Sequence, residues 1–414
     1  MAAPRYLARL VDAHLAELFS ELSALLIVGP RAVGKTTTAR RLARSVVRLD
    51  VPAESAAFRF DADAALGAMP EPVLLDEWQE VPELMGAVRR AVDQDPRPGR
   101  FLLTGSARAR RGSESWSGVG RVVNVTMYGL SVREELGRVG AQGFLERLGS
   151  ADLDAFPAPD NPPDLRGYID LALRGSFPEP VLRLSGRARQ AWLESYIDQL
   201  VTRDAEALDG VRDPVLLGRY FEALCLNTAG IVEDKTVYEA AGISRMTAGA
   251  YERLLSDLFV FEALPAWSNN RLSRLMKSPK RHMIDPSLVA GALRLDERAV
   301  LRDGDLLGRI IDTFVTSQIR PEAVLSSLRP RLYHLREKEG RHEVDLLAEL
   351  AGGDVIAIEV KATASPTFSD ARHLEWMRDR IGPRFRSGAL LHTGPRPFGL
   401  SERIFALPIC SIWH

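Results

Sequence analysis

The stretch "ALLIVGPRAVGKTTTARRLA", residues 24–43, decides the fold of the N-terminal part of this chain. Its apolar run has the length of a short buried strand, a glycine-rich turn follows, and a helical pattern begins after the turn. The spacing Gly-x-x-x-x-Gly-Lys-Thr lets backbone N–H groups close around phosphate oxygens at the positive end of a helix. The pattern predicts an α/β domain with a parallel sheet and a nucleotide-binding loop made of Gly29, Pro30, Arg31, Ala32, Val33, Gly34, Lys35, Thr36 and Thr37.

Two residues of this loop and two acidic residues downstream have the chemistry of nucleotide hydrolysis. Lys35 can reach the β- and γ-phosphates, and the Thr36 hydroxyl can ligate Mg²⁺. The segment "EPVLLDEWQEV", residues 71–81, predicts a second buried strand that ends in Asp76 and Glu77. Asp76 can hold the Mg²⁺ through water, and Glu77 can polarise the attacking water as a general base. The expected cofactors are therefore ATP and Mg²⁺.

Two further strands complete the predicted sheet. In "GRFLLTGSAR", residues 99–108, a strand ends in Thr104 and Ser106, where a polar side chain can contact the water or γ-phosphate. Ser106 can also serve as a helix N-cap. A fifth strand is predicted at 122–127, with Arg121 at its start.

This order resembles the AAA-type ATPases. The resemblance implies that Thr104 is the sensor residue and that Arg121 is an arginine finger. A solvated arginine at the start of a strand fits Arg121 equally well. A finger acting on a second chain would require a homo-oligomer.

Composition limits the class of protein. A chain of 414 residues with 46% apolar and 26% charged residues is typical of a globular protein with two to four domains. No apolar run approaches the ~20 residues that span a bilayer, and the N-terminus reads as an amphipathic helix, so we expect no membrane contact. Only Cys225 and Cys410 are present, which gives no disulfide or zinc framework and favours a cytoplasmic location.

The middle of the chain is predicted to be helical. Residues 135–165 are predicted to form a polar, Pro-rich surface loop, and helices are expected over 166–207. The segment "RGSFPEP", residues 174–180, interrupts these helices and resembles a lid motif of signal-transduction ATPases, although a plain helix–helix turn also explains it. Arg203 and Asp204 could sense phosphate or form a surface ion pair.

Residues 214–262 are predicted to form a helix-turn-helix, followed by a two-stranded wing at 265–284. That wing is basic and contains no acidic residue, which is what contact with DNA phosphates requires. A protein-interaction module or a merely solvated surface are the alternatives. The basic residues are Arg271, Arg274, Lys277, Lys280 and Arg281.

The segment "RHEVDLLAELAGGDVIAIEVKAT", residues 341–363, places Asp345 on one strand and Glu359 and Lys361 on the next. The predicted order helix–strand–strand–strand–helix–strand resembles the PD-(D/E)xK nuclease fold. The resemblance implies that Asp345 and Glu359 ligate Mg²⁺ and that Lys361 stabilises the nucleophile. Asp312 would be the helix carboxylate, where related sequences carry Glu. Two such carboxylates facing each other without metal are expected to raise each other's pKa. If the site is real and empty, Asp345→Asn should therefore stabilise the protein.

Taken over its length, the chain resembles a bacterial and archaeal family of predicted AAA-type ATPases with a C-terminal domain of unknown function. We expect an AAA-type P-loop core at 1–134, a loop and helical lid at 135–210, a winged helix at 211–300 and an α/β restriction-endonuclease-like domain at 301–414. The expected function is ATP binding and hydrolysis by a switch or motor that contacts DNA through its C-terminal half. An ATP-regulated DNA nuclease and a nucleotide-gated, non-catalytic DNA- or protein-binding regulator are the alternatives.

Overall fold

A computed structural model describes residues 6–106, 120–204, 213–337 and 341–414 of the chain. The side chains of Arg203, Asp204 and Arg271 lie outside the described part, and so do the roles predicted for them. The chain divides into two compact units. The first comprises residues 1–130 with 257–259, and the second comprises 131–256 with 260–414.

The first unit is built on a parallel sheet of five strands in the order β2-β3-β4-β1-β5. The strands are β1 (Ala24–Val28), β2 (Ser45–Arg48), β3 (Val73–Asp76), β4 (Phe101–Gly105) and β5 (Val123–Thr126). The helices are α1 (Val11–Glu21), α2 (Lys35–Ala39), α3 (Pro52–Phe60), α4 (Ala62–Gly67) and α5 (Leu84–Gln94).

The central strands explain why this sheet forms. Every residue of β1, β3 and β4 is buried, and the runs are almost wholly apolar. Strands that are covered on both faces have this composition, which is typical of parallel sheets flanked by helices. The predicted α/β class with a parallel sheet is confirmed. Strands also form where they were predicted, at 24–28, within 71–81 and within 99–108.

The second unit begins with helices. Their bounds are α6 (Val132–Glu135), α7 (Phe144–Gly149), α8 (Leu165–Arg174), α9 (Pro178–Leu182), α10 (Gly186–Gln199), α11 (Pro214–Leu226), α12 (Asp234–Ala240) and α13 (Arg245–Asp257). A π-helical turn over 200–204 extends α10.

The prediction of a surface loop throughout 135–165 is wrong in part. Helix α7 lies within it, and Phe144, Leu145 and Leu148 of this helix are buried. Those apolar residues have helical spacing, whereas the Pro-rich composition belongs only to residues 157–163. The backbone N–H of Phe144 donates to Glu322 Oε2 at 2.7 Å, which fixes the start of α7.

The segment "RGSFPEP" forms a close turn between α8 and α9. Gly175 has a φ of +77°, and a Cβ at this position would lie 2.2 Å from Ser287 Oγ. The next backbone N–H, that of Ser176, donates to Asp285 Oδ2 at 2.7 Å. Close packing against the chain at 285–287 therefore accounts for the glycine.

After α13 the chain forms an antiparallel pair, β6 (Phe261–Leu264) and β7 (Lys280–Met283). The connection between them contains the short helix α14 (Arg271–Arg274). Three helices follow: α15 (Pro286–Leu293), α16 (Glu297–Arg302) and α17 (Gly304–Leu325).

The unit ends in a mixed six-stranded sheet of order β12-β13-β11-β10-β9-β8, with helix α18 (Arg372–Ile381) packed against it. The strands are β8 (Arg331–Arg336), β9 (Glu343–Glu349), β10 (Val355–Lys361), β11 (Phe385–His392), β12 (Phe398–Ser401) and β13 (Ile404–Pro408). The predicted order helix–strand–strand–strand–helix–strand is confirmed from α17 to β11.

Among the helices of the described ranges, none combines the length and the apolar character needed to cross a membrane.

Candidate functional site

The loop between β1 and α2 has positive φ angles at its two motif glycines, Gly29 and Gly34. Gly29 and Gly34 have φ values of +150° and +98°, and a Cβ on Gly29 would lie 2.1 Å from the carbonyl oxygen of Met127. Glycine is the residue that tolerates both the positive φ and this close approach. The loop therefore passes directly beside the end of β5 and leads into the first turn of α2.

Lys35 lies inside this loop. Its ammonium donates to the carbonyl oxygens of Gly29 and Pro30 at 2.9 and 2.7 Å. Burial lowers the pKa of Lys35 to about 8, against the opposite effect of the nearby Glu77 and Asp76 carboxylates. Among the described residues, the hydrogen-bond acceptors of this ammonium are neutral carbonyls, and phosphate oxygens would be stronger partners.

The residues predicted to hold Mg²⁺ meet at the carboxyl ends of β1 and β3. Thr36 Oγ1 donates to Asp76 Oδ1 at 2.7 Å. The Thr104 hydroxyl, from the end of β4, donates to the same carboxylate oxygen. Strands β3, β4 and β1 are neighbours and run parallel, so their carboxyl ends bring the three side chains together.

Glu77 follows Asp76 but points to a different set of partners. Its φ of +55° is unusual for a residue with a side chain, and its N–H donates to Thr104 Oγ1 at 3.3 Å. The Ser106 hydroxyl donates to Glu77 Oε2 at 3.0 Å, and the Gln79 amide donates to the same oxygen. Arg31 Nε donates to Ser106 Oγ at 3.3 Å. The carboxylate is thus oriented by hydrogen bonds beside the phosphate loop.

The predicted residues of this site therefore fall into two places. Lys35, Thr36, Asp76, Glu77 and Thr104 come together at one edge of the sheet. Arg121 does not join them.

Arg121 precedes β5, which runs parallel to β1, so it lies at the amino edge of the sheet, opposite the phosphate loop. There its Nε donates to Asp93 Oδ1 at 2.7 Å on the protein surface. In this position Arg121 cannot reach a nucleotide in its own chain.

Sequence reasoning missed Arg9 as a component of the site. The guanidinium of Arg9 is buried and donates to the Val33 carbonyl at 2.8 Å. It also donates to the carbonyls of Tyr128 and Gly129 at 2.8 and 2.9 Å, directly after β5. Arg9 therefore joins the phosphate loop to the end of the neighbouring strand. A lone arginine before an amphipathic helix carries no sequence signal for this role.

The residues present suit ATP and Mg²⁺. The loop supplies a glycine backbone and one ammonium for phosphate oxygens. Thr36 and Asp76 supply two hard oxygen ligands already within hydrogen-bond distance of each other, which matches the ligand preference of Mg²⁺.

The second unit contains a separate cluster of charges, and it includes the residues predicted for a nuclease-like site. Asp345 on β9 accepts a hydrogen bond from the Val360 N–H of β10 at 2.9 Å, and Lys361 Nζ lies 2.8 Å from Glu359 Oε1. Asp312 of α17 also belongs to the cluster. The predicted residues are thus brought together.

One residue of this cluster was not predicted to be there. The Lys280 ammonium, from β7, donates to Asp345 Oδ1 at 2.9 Å and also to Asp312 Oδ2. Lys280 is 1% exposed. A positive charge already lies between two of the carboxylates.

The pKa values reflect this arrangement. Burial alone would raise the pKa of Asp345, but Lys280 and the Val360 N–H lower it below its ordinary value. Burial raises the pKa of Asp312 to about 6, although Lys280 opposes the shift. Burial and the neighbouring Asp345 carboxylate raise the pKa of Glu359 to about 8. Stabilisation by Asp345→Asn is expected for an unpaired carboxylate, whereas Asp345 is an ion-pair partner of Lys280, so this arrangement does not favour it.

These residues do not fit a divalent metal in the arrangement observed. Within the described part of the chain, no group of three or more His, Cys, Asp or Glu side chains is positioned to hold a metal ion. The Lys280 ammonium donates hydrogen bonds to two of the oxygens that would be ligands.

The predicted basic wing is also corrected. Arg274 pairs with Glu349 through two bonds of 2.7 and 2.8 Å, Lys280 is buried between carboxylates, and Arg281 is buried against Asp234 and Glu252. Lys277 is exposed. The acidic partners come from distant parts of the chain, so the stretch looked unpaired in sequence. Three of its five cations are unavailable to DNA phosphates.

Comparisons with known proteins agree with the division of the chain. A family model described as an AAA domain matches residues 22–136. Two models described as domains of unknown function match the rest, DUF8612 over residues 165–299 and DUF4143 over residues 307–412. The phosphate loop and the parallel sheet lie within the first match. The N-terminal unit is thus similar to P-loop ATPase domains of the AAA class.

Similar proteins have been found in mycobacteria. The chain is 29% identical over 402 residues to uncharacterized protein Rv2008c of Mycobacterium tuberculosis and to uncharacterized protein Mb2031c of Mycobacterium bovis, which covers 96% of this chain and 82% of each relative. A solved structure, the Walker-type ATPase PABY2304 of Pyrococcus abyssi, aligns with a TM-score of 0.42 and 15% identity over 70% of this chain and 96% of that chain.

Proposed function

We propose that this protein binds ATP together with Mg²⁺ in its N-terminal unit and hydrolyses the γ-phosphate. The observation that carries the proposal is the meeting of Thr36, Asp76, Thr104 and Glu77 around the loop that contains Lys35. Each side chain type has a part in phosphoryl transfer, and each comes from the same edge of the sheet.

Binding depends on the loop. Its N–H groups and the N-terminus of α2 surround the phosphates, and the Lys35 ammonium exchanges the carbonyls of Gly29 and Pro30 for phosphate oxygens. Thr36 and Asp76 would hold the Mg²⁺, which neutralises charge on the β- and γ-phosphate oxygens. Thr104 fixes the Asp76 carboxylate by a hydrogen bond.

Hydrolysis depends on Glu77. Its carboxylate accepts hydrogen bonds from Ser106 and Gln79, which leave it anchored beside the loop as a base for the attacking water. Asp76 and Glu77 are adjacent in sequence, and the positive φ of Glu77 turns their two side chains toward different partners. One carboxylate can therefore serve the cation while the other serves the water.

The test is Mg²⁺-dependent ATP turnover and ATP affinity in wild type and Lys35→Ala. We expect the variant to lose tight binding and turnover, because the phosphates lose the ammonium of the loop. Lys235→Ala, which changes an exposed lysine of α12, is the matched control and should behave as wild type. Unchanged ATP affinity in Lys35→Ala would refute the assignment.

We further propose that turnover drives a switch or motor. The paired, buried cations of the 265–284 stretch no longer support contact with DNA. Adding duplex DNA to the same assay tests directly whether DNA changes ATP turnover. ATP binding without any turnover would instead favour a nucleotide-gated regulator.

A further inference from the structure

The antiparallel pair of β6 and β7 carries polar side chains on the face that meets helix α17. Lys280 and His282 are two residues apart on β7, so both side chains lie on this face. Glu262 of β6 is the register partner of His282 and lies on the same face. Arg320 of α17 reaches this position, because its Nε atom lies 3.1 Å from Glu262 Oε2. The guanidinium therefore lies over the place where Glu262 and His282 are neighbours.

Arg320 is a buried cation whose nitrogen atoms lack hydrogen-bond acceptors. Its side chain is 3% exposed, whereas the side chain of Glu262 is 38% exposed. The Nε atom forms the ion pair with Glu262 without the alignment of a hydrogen bond, and neither Nη1 nor Nη2 has an acceptor among the described residues. A buried guanidinium in this state has lost its hydration without full compensation, so an acceptor group is expected beside the two Nη atoms.

Two buried histidines have the same deficiency. His282 is 1% exposed, and neither of its ring nitrogens has a hydrogen-bond partner within the described part of the chain. His334 of β8 is equally buried; its Nε2 lies 3.1 Å from the carbonyl oxygen of Ser278, and its Nδ1 has no partner in the same set of residues. Native proteins seldom leave buried polar atoms unsatisfied, so these atoms indicate a bound group that forms hydrogen bonds with them.

The electrostatic environment of His282 gives the sign of that group. Burial lowers the pKa of His282 well below its ordinary value, and three nearby side chains lower it further. Those side chains are Arg320, Lys280 and His334. The imidazole is therefore neutral and presents one N–H donor in a positive field. Such a field, together with the N–H donors of a guanidinium, favours an anion.

We propose that Arg320 and His282 form a buried binding site for a small inorganic anion of the phosphate or chloride class. The guanidinium supplies its two Nη atoms in a fixed plane, and the imidazole supplies one N–H from the facing strand. The anion neutralises the part of the Arg320 charge that the partly exposed Glu262 carboxylate leaves uncompensated. It also joins α17 to β7 through hydrogen bonds.

Ordered water is the alternative occupant, because one buried water can satisfy two to four polar atoms. The two occupants differ in their dependence on salt. An anion that binds the folded chain adds stability that depends on its dissociation constant, whereas water adds none. Phosphate is also excluded from protein surfaces in general, but that effect does not saturate at low concentration and acts on every variant alike.

The experiment measures equilibrium urea unfolding of the nucleotide-free full chain, approached from the folded and the unfolded side, at increasing potassium phosphate or potassium chloride. We expect a specific rise of the wild-type midpoint with at least one of these anions, and Arg320→Met should lose it. His282→Phe should weaken the apparent affinity for the anion about tenfold or more, because it removes one hydrogen bond to a charged group. Arg298→Met, which changes an exposed arginine of α16, should match wild type.

The comparison separates this site from other effects. An anion held at the phosphate loop is common to all four proteins and cancels. Arg320→Met should fold, because replacing a buried charge by an apolar side chain is often neutral or stabilising. The same anion-dependent rise in Arg320→Met and wild type overturns the proposal, and so does the lack of any specific rise with either anion. If Arg320→Met does not fold, an unchanged anion affinity in His282→Phe overturns it.

Discussion

Thr104 illustrates how one buried hydroxyl organises the candidate nucleotide site. It donates to Asp76 and accepts from the N–H of Glu77, so the same oxygen fixes the positions of both acidic residues. The hydroxyl is completely buried, which leaves these two partners as its hydrogen-bonding environment. At the scale of residues, the site depends on a few such fixed contacts.

Glu77→Gln should bind ATP with near wild-type affinity and hydrolyse it about 10²–10⁴-fold more slowly, because the amide cannot accept the proton of the attacking water. Single-turnover ATP hydrolysis, with binding followed separately, measures both quantities. Glu80→Gln changes an exposed glutamate three residues away and serves as the control. Turnover that persists in Glu77→Gln would place the base elsewhere.

Gly29→Ala should lower the free energy of unfolding by about 2 kcal/mol or more and abolish ATP binding. The added Cβ would meet the Met127 carbonyl at 2.1 Å, and the φ of +150° disfavours any side chain. Gly67→Ala is the control, since a Cβ there meets nothing within 4 Å. Urea unfolding compares the two, and equal stability would show that β5 can move away from the loop.

At the scale of elements, the stretch 265–284, which covers the β6–β7 connection and β7, reverses what its composition indicates. It contains a run of cations without one acidic residue, yet three of its five cations pair with carboxylates of β9, α12, α13 and α17. Arg274 makes two bonds to Glu349, and Trp267 Nε1 donates to the same carboxylate at 3.2 Å. The connection is thus fastened to the C-terminal sheet by buried charge.

Arg274→Ala should destabilise the second unit by about 2 kcal/mol, because the Glu349 carboxylate loses two charged hydrogen bonds while Arg384 Nη2 stays 3.7 Å away. Lys277→Ala should change stability by less than about 0.5 kcal/mol, as expected for an exposed side chain. Urea unfolding measures both variants. A DNA-binding assay of the same two variants separates this structural role from a phosphate contact. Loss of a phosphate contact would weaken DNA binding without lowering the free energy of unfolding.

Strand β11 contains a buried histidine, His392, whose lowered pKa makes the stability of the folded protein depend on pH. His392 Nδ1 accepts from the Gly394 N–H at 3.0 Å, and burial lowers the pKa of His392 to about 4, below its ordinary value of about 6.5. Between these two values the unfolded chain binds the proton and the folded chain does not. The contribution of His392 to stability is therefore complete above about pH 6.5 and is lost as the pH falls to about 4.

His392→Gln should reduce the loss of stability in this pH window by up to about 1.4 kcal/mol per pH unit, because glutamine can accept the same hydrogen bond without titrating. Urea unfolding at about pH 7 and about pH 5 gives the slope. The same pH dependence in wild type and variant would mean that other groups control acid unfolding.

At the scale of the whole molecule, the position of Arg121 bears on whether two copies of the chain act together. It lies at the amino edge of its own sheet, opposite its own phosphate loop, where it pairs with the exposed Asp93. An arginine finger that acts on the site of a neighbouring chain typically raises turnover by about 10³–10⁵-fold. The role predicted for Arg121 therefore depends on a homo-oligomer.

If Arg121 acts in a second chain, mixing Arg121→Ala with Glu77→Gln should restore turnover that neither protein has alone, since some sites then combine an intact Glu77 with a neighbour's Arg121. ATP hydrolysis by the mixture and by each protein separately measures this. Asp93→Ala removes the ion pair only and should remain active. Normal turnover of Arg121→Ala alone would assign this arginine to the surface.

The sequence by itself determined which residues form the candidate nucleotide site. The loop at 29–37, the strand that ends in Asp76 and Glu77 and the strand that ends in Thr104 were all predicted, because each is a local pattern of apolar run, turn and polar residue. In a parallel sheet the carboxyl ends of neighbouring strands share one edge, so local patterns are sufficient to bring those residues together.

Only the tertiary structure decided the roles of Arg9 and Lys280. Arg9 reaches the carbonyls of Val33, Tyr128 and Gly129, and Lys280 reaches carboxylates 32 and 65 residues further along the chain. Sequence shows that a cation is present but not where its partner lies, and charge pairing acts through space. A buried ion pair and a solvated basic patch therefore look the same in sequence, and the fold alone distinguishes them.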